Sequence, residues 1–223
     1  MNYFAHACPF LDDPYFAAGT GVPDWLTVAD RRVRVRREAA VALAQDADPR
    51  VAAVARGVVQ HLSDDARFHE TRAFAELSLR LTGLARGLLD GETGFRPSFL
   101  GHLLVEVLLD ASLVAQSPDR LHAYYRTLDA ADAAVVEQAV NRMAPRPTTR
   151  LAWMIRAFGR ERILWDYLED GRLWARLNQV MRRVGLGLLP ERFREALAEA
   201  RLLVDLRKAE LLDGIPTPGL RAV

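Results

Sequence analysis

With 223 residues, 50% of them hydrophobic, and a formal charge of +1, the chain can bury a substantial core and is too nearly neutral to hold nucleic acid by general electrostatics. Cys8 is the single cysteine, which excludes a disulfide framework and any cysteine-based zinc motif. Without a leader-like N-terminus or an uninterrupted run of about 18 apolar residues, a soluble, cytoplasmic protein with no nucleic-acid or membrane partner is expected.

Helical periodicity dominates and strand-like alternation is nearly absent, so the expected fold is all-α. The sequence shows no internal repeat, low-complexity linker or evident boundary. It reads as a single-domain helical bundle over residues 1–223 with a short tail at 213–223. The first informative segment is Gly19-Thr20-Gly21-Val22-Pro23-Asp24-Trp25. Its glycines and Pro23 predict a loop that delivers Asp24 just before a helix, either as an N-cap or as a ligand. Arg31-Arg32-Val33-Arg34-Val35-Arg36-Arg37 follows. This positive cluster reads as a solvated helix face or as a docking patch for an acidic partner.

Asp48-Pro49 opens a helix through Val51, Val54, Val58 and Val59 to His61. His61, Asp65 and His69 then lie four apart, on one face, provided the helix continues past Ser63 and Asp64, which favour turns. Another helix is expected from about Glu70 to Leu89, stopping at Asp90-Gly91-Glu92-Thr93-Gly94. Pro97 opens the next. There, every residue from Phe99 to Leu109 except His102 and Glu106 is apolar or glycine, and Asp110 follows one turn later. His102, Glu106 and Asp110 thus form a polar column on an otherwise greasy rod.

Ser117-Pro118 begins a helix through Tyr124 and Tyr125, and Asp129 is expected to begin another ending before Pro145. Trp153, Phe158, Trp165, Leu168, Trp174 and Leu177 follow in two or three short amphipathic helices, and the Trp and Tyr residues after 150 are spaced like core anchors. Pro190 opens a last helix, Glu191 to Leu212. Lys208 is the only lysine, so arginine carries nearly all the positive charge.

Burying an acid without a partner costs several kcal/mol, roughly 2–7 even for a neutral polar group. The His61 and His102 columns therefore need mutual pairing, water or a metal ion. Imidazole and carboxylate together suit Zn, Mn or Fe, and a carboxylate-rich mixture leans toward Mn or Fe. His61 with Asp65 supplies one pair, and His102 with Glu106 or Asp110 a facing one. His61, Asp65, Asp110 and His102 are expected to converge on one ion. Nucleophile elbows, P-loops, His-Glu-x-x-His, Cys-x-x-Cys and the Glu-x-x-His pairs of di-iron bundles are absent.

Several of these segments resemble the acyl-carrier-protein phosphodiesterase family, all-helical proteins distantly similar to HD-type metal phosphohydrolases. Met1-Asn2-Tyr3-Phe4-Ala5-His6 is similar to the family's opening, and Gly21-Val22-Pro23-Asp24-Trp25 falls at its Gly-Asn-x-x-Ala-Asp-Phe segment. Gly57-Val58-Val59-Gln60-His61-Leu62-Ser63-Asp64-Asp65 resembles its Gly-x-x-x-His-Arg-x-Ile-Asp helix, matching at His61 and Asp65. Glu106-Val107-Leu108-Leu109-Asp110 resembles its Asp-Val-x-x-Asp-His helix. Leu62, Glu106 and Ala111 depart from the family's Arg, Asp and His. The resemblance implies an HD-domain-like fold and Mn²⁺-dependent hydrolysis of the phosphodiester joining 4′-phosphopantetheine to an acidic acyl carrier protein. It implies Asp24, His61, Asp65 and Asp110 as metal ligands, with His102 or Glu106 added, and His6 or His69 as proton carrier. Arg31, Arg32, Arg34, Arg36 and Arg37 become the docking surface. The alternatives are an HD-like hydrolase of another phosphoester and a non-catalytic helical protein with a vestigial metal site.

Overall fold

The computed structural model describes residues 1–90 and 93–217. Among the described residues there is no strand, as the periodicity requires. The helices are α1 (Tyr3–Ala7), α2 (Pro14–Ala29), α3 (Arg37–Leu43), α4 (Pro49–Glu70), α5 (Arg72–Leu88), α6 (Pro97–Gln116), α7 (Pro118–Ala130), α8 (Ala133–Met143), α9 (Leu151–Glu161), α10 (Asp170–Val184), α11 (Glu195–Leu206) and α12 (Lys208–Leu211). Short 3-10 segments cover Cys8–Phe10, Ile163–Leu168 and Glu191–Arg194. Contacts group the chain into two compact units, Asn2–Ala66 with Ser117–Arg162, and Met1 and Arg67–Gln116 with Ile163–Ile215. One division falls between Ala66 and Arg67, inside α4. No loop composition marks it.

In the first unit, α2 packs against α1, α7 and α9, and α8 packs against α9. Trp25, Phe158, Tyr124 and Phe4 are buried there, with Tyr3 and Trp25 each in ring contact with Phe158. Helix α2 corrects the expected loop at Gly19–Asp24. Its cap is Asp13, whose carboxylate accepts from the Tyr15 and Phe16 amides, and Pro14 sits at the first helical position. Asp24 is therefore mid-helix, not an N-cap. Gly19 is selected by a close approach instead: a Cβ there would stand 2.4 Å from the Val54 carbonyl oxygen of α4. The Arg31–Arg36 segment is the connection from α2 to α3 rather than a helix face, with its arginines exposed and Val33 buried.

Asp129 lies within α7; the cap of α8 is Asp132, which accepts from the Ala134 amide at 2.8 Å. Trp153 is 61% exposed and so is no core anchor, because it projects from α9 on the side away from Leu151, Ile155 and Phe158. Helix α4 does continue through Ser63 and Asp64, the Ser63 hydroxyl bonding back to the Val59 carbonyl.

In the second unit, α6 is the central rod, packed against α5, α11 and the Ile163–Leu168 segment. By length and composition α6 could cross a membrane, yet 61% of its most apolar stretch is buried inside the protein, as in a core helix. A Cβ on Gly101 would stand 2.5 Å from the Ser78 carbonyl oxygen and 2.7 Å from the Thr82 amide nitrogen, so glycine sets the spacing of α5 and α6. The expected last helix is interrupted: Glu191–Arg194 is 3-10, and Arg207 ends α11 before α12 begins. Gly91 and Glu92 of the expected α5 stop, and 218–223 of the expected tail, lie outside the described residues.

Candidate metal centres

The expected ligands fall into two groups, one in each unit. In the first, His6, His61 and Asp65 offer donor atoms that all lie within 4.8 Å of one another. His6 stands in the last turn of α1, every residue of which is buried. Its ring stacks on that of His61, with centroids 3.9 Å apart and planes 26° apart. His61 is positioned by the α2–α4 crossing. Gly19 and Gly57 let the two backbones meet, since a Cβ on Gly57 would stand 2.2 Å from the Phe16 carbonyl oxygen. One residue beyond Gly19, the Thr20 carbonyl then reaches His61 Nδ1 at 2.8 Å. A carbonyl can only accept, so Nδ1 carries the proton and the lone pair is left on Nε2. This is the usual way a ligating histidine is oriented.

Asp64 is buried beside this group. The Gln60 side-chain amide donates to its Oδ1 at 2.7 Å, and its Oδ2 lies 3.9 Å from His6 Nδ1. Burial pushes the Asp64 carboxyl up to about 6, with the Gln60 bond pulling the other way.

The second group is His69, from the last turn of α4, with His102 and Glu106 of α6. Their three donor atoms form a nearly equilateral triangle. His102 Nε2 lies 3.2 Å from Glu106 Oε1, His69 Nε2 lies 3.4 Å from the same oxygen, and the two Nε2 atoms are 3.3 Å apart. The Phe74 ring stands edge-on to both imidazoles, at centroid distances of 4.6 Å to His69 and 5.0 Å to His102. The ammonium of Met1 also donates to Glu106 Oε1, at 3.3 Å. Burial alone would raise the Glu106 carboxyl. The bonds from His102 and His69, with the ammonium charge, outweigh it and hold the group down at about 2.

Asp24 and Asp110 belong to neither group: Asp24 is half-buried within α2, and Asp110 is fully buried on α6, one turn beyond Glu106. His6 and His69, expected as proton carriers, each stand among possible ligands. His122 is exposed on α7. The Thr20 carbonyl had no sequence signal as a site group, since every residue carries one. Phe74 lies past the break between α4 and α5, where helical spacing rules do not apply. No protein-family model, curated protein or solved structure matches the chain.

Proposed function

We propose that the chain is a metal-dependent phosphodiester hydrolase in which His6, His61 and Asp65 hold a divalent ion. The observation that carries this reading is the bond from His61 Nδ1 to the Thr20 carbonyl, which aims the Nε2 lone pair of a buried imidazole in a group that also contains His6 and Asp65. Two imidazoles with a carboxylate suit Mn, Fe or Zn, and Asp64 alongside tilts the set toward Mn or Fe. When bound, such an ion lowers the pKa of a water and stabilises charge on phosphoryl oxygens. The chain's own contribution is orientation: the α2–α4 crossing fixes the His61 ring, the stack on His61 fixes His6, and Gln60 fixes Asp64. The resemblance of this helix to the acyl-carrier-protein phosphodiesterases supports a carrier-protein phosphodiester as substrate.

The test is turnover of bis(p-nitrophenyl) phosphate by purified protein, stripped of metal and reloaded with Mn²⁺, Fe²⁺ or Zn²⁺, followed by release of 4′-phosphopantetheine from a carrier protein. Metal-dependent turnover of both is expected. Turnover of the small ester alone would move the assignment to another phosphoester. Bound metal with no turnover of either would leave a non-catalytic helical protein.

The exposed arginines give a separate expectation. Replacing Arg31, Arg34 and Arg36 with Ser should raise KM for an acidic carrier protein while leaving turnover of the small ester unchanged, because rim charges steer association rather than chemistry. The difference should shrink with salt, since exposed charges are screened over about 10 Å at 0.1 M. Arg37 is left in place because its guanidinium donates to Ser63 Oγ at 2.7 Å on α4. Equal loss on both substrates would assign the segment a structural role.

A further inference from the structure

We infer that His69, His102 and Glu106 form a second, separate metal site, three corners of a tetrahedron that takes a zinc-class ion and leaves its fourth corner to solvent. The inference stands on the shape of the triangle and does not depend on the hydrolase reading. Ligand atoms about 2.0–2.1 Å from a tetrahedral ion lie about 3.3–3.4 Å apart. The three edges here are 3.2, 3.3 and 3.4 Å. Cis ligands at about 2.1 Å from an octahedral ion would lie nearer, at about 3.0 Å, so the spacing favours the tetrahedral ion.

Hydrogen bonding alone accounts for at most two edges of the triangle. Each Nε2 carries at most one hydrogen, which points in one direction. If both hydrogens point to Glu106 Oε1, the two edges to the carboxylate are hydrogen bonds and the two Nε2 atoms stand 3.3 Å apart with no bond of their own. If one imidazole donates to the other, its hydrogen is used and the accepting Nε2 has none, so neither edge to the carboxylate is a hydrogen bond. A single cation at the centre satisfies all three edges, each through a lone pair.

The surroundings suit an exchangeable site. His102 keeps 45% of its side chain exposed, His69 30% and Glu106 19%, so water reaches the outer side of the triangle. The edge-on Phe74 ring packs against both imidazoles and limits their rotation, which reduces the ordering needed on binding. Two imidazoles and one carboxylate with an open fourth position make a catalytic-type rather than a closed structural zinc site. A competitor for binding among the described residues is the Met1 ammonium on Glu106 Oε1, which the ion would displace or share the oxygen with.

The test is calorimetric titration of metal-stripped full-length protein with Zn²⁺ alone. His102→Ala, His102→Gln and Glu106→Gln should each remove one binding equivalent or weaken it at least about 100-fold, given that even outer partners of a metal ligand are worth 10–100-fold. His61→Gln should leave that equivalent in place. His102 is half-exposed and Gln is close in shape to Glu, so these variants keep the fold, and circular dichroism checks it. Folded variants that bind Zn²⁺ with wild-type stoichiometry and affinity would overturn the site. The titration reads binding and not turnover, so its outcome is independent of the phosphodiesterase assay.

Discussion

Gly57→Ala should cost the protein about 2–3 kcal/mol and lower its Tm by about 4–12 °C. The added methyl would fall 2.2 Å from the Phe16 carbonyl oxygen and 2.9 Å from the Thr20 amide nitrogen, both backbone atoms of α2. A flexible side chain could swing aside; a helix backbone has to move as a whole. Overpacking of this kind costs about 1–3 kcal/mol, and more when the backbone must shift. Alanine's advantage over glycine in a helix, about 1 kcal/mol, offsets only part of it. Gly83→Ala and Gly87→Ala are the matched controls. Both glycines lie on the exposed side of α5 with nothing within 4 Å of the added carbon, so each change should stabilise by up to about 1 kcal/mol. Thermal unfolding of the three variants would separate propensity from packing. A neutral Gly57→Ala would mean that the α2–α4 crossing is looser than its geometry indicates, and with it the hold on His61.

The same glycines show why part of the fold was legible in the sequence and part was not. Pro49, Pro97 and Pro118 each announced a helix start, and each is the first residue of its helix, because proline's fixed φ and missing N–H are tolerated there. Gly19, Gly21 and Pro23 give the same local signal as a turn. They lie instead inside α2, where Gly19 is required by a neighbouring helix rather than by its own backbone. A single sequence cannot separate these cases, since the deciding atom, the Val54 carbonyl oxygen, is contributed by another helix. Likewise, Ser63 and Asp64 have turn-forming side chains, but here one bonds to the preceding turn of α4 and the other to Gln60.

For the candidate centres, helical spacing identified the residues better than their grouping. His61 with Asp65, and His102 with Glu106, are i,i+4 pairs that each occur within one group, whereas Asp65 with His69 and Glu106 with Asp110 have the same spacing and do not. Spacing within a helix says which side chains share a face, not which neighbour faces them. The third member of each group comes from elsewhere in the chain: His6 from α1 and His69 from α4. Asp110 continues the α6 column in sequence, but it is wholly buried and contributes to neither group.

His61→Ala should abolish the phosphodiesterase activity proposed for the His6–His61–Asp65 group and lower metal affinity there by at least about 100-fold, more than the loss of an outer partner would cause. The change removes one donor, the ring on which His6 stacks, and the partner of the Thr20 carbonyl. The last loss removes one bond to a carbonyl inside α2 and leaves a cavity where the ring stood, so a stability cost of about 1–3 kcal/mol accompanies it. His61→Gln separates the two effects: its side-chain amide can still donate to the Thr20 carbonyl and fill much of the space, but it provides no imidazole. Asp65→Asn does the same for the carboxylate, keeping shape while removing charge. Metal analysis and bis(p-nitrophenyl) phosphate turnover should fall together in all three variants, with stability falling mainly in His61→Ala. If His61→Gln and Asp65→Asn keep wild-type metal content and turnover, the reacting ion is not held by this group. If His61→Ala alone loses both properties, the imidazole serves packing between α2 and α4 rather than ligation.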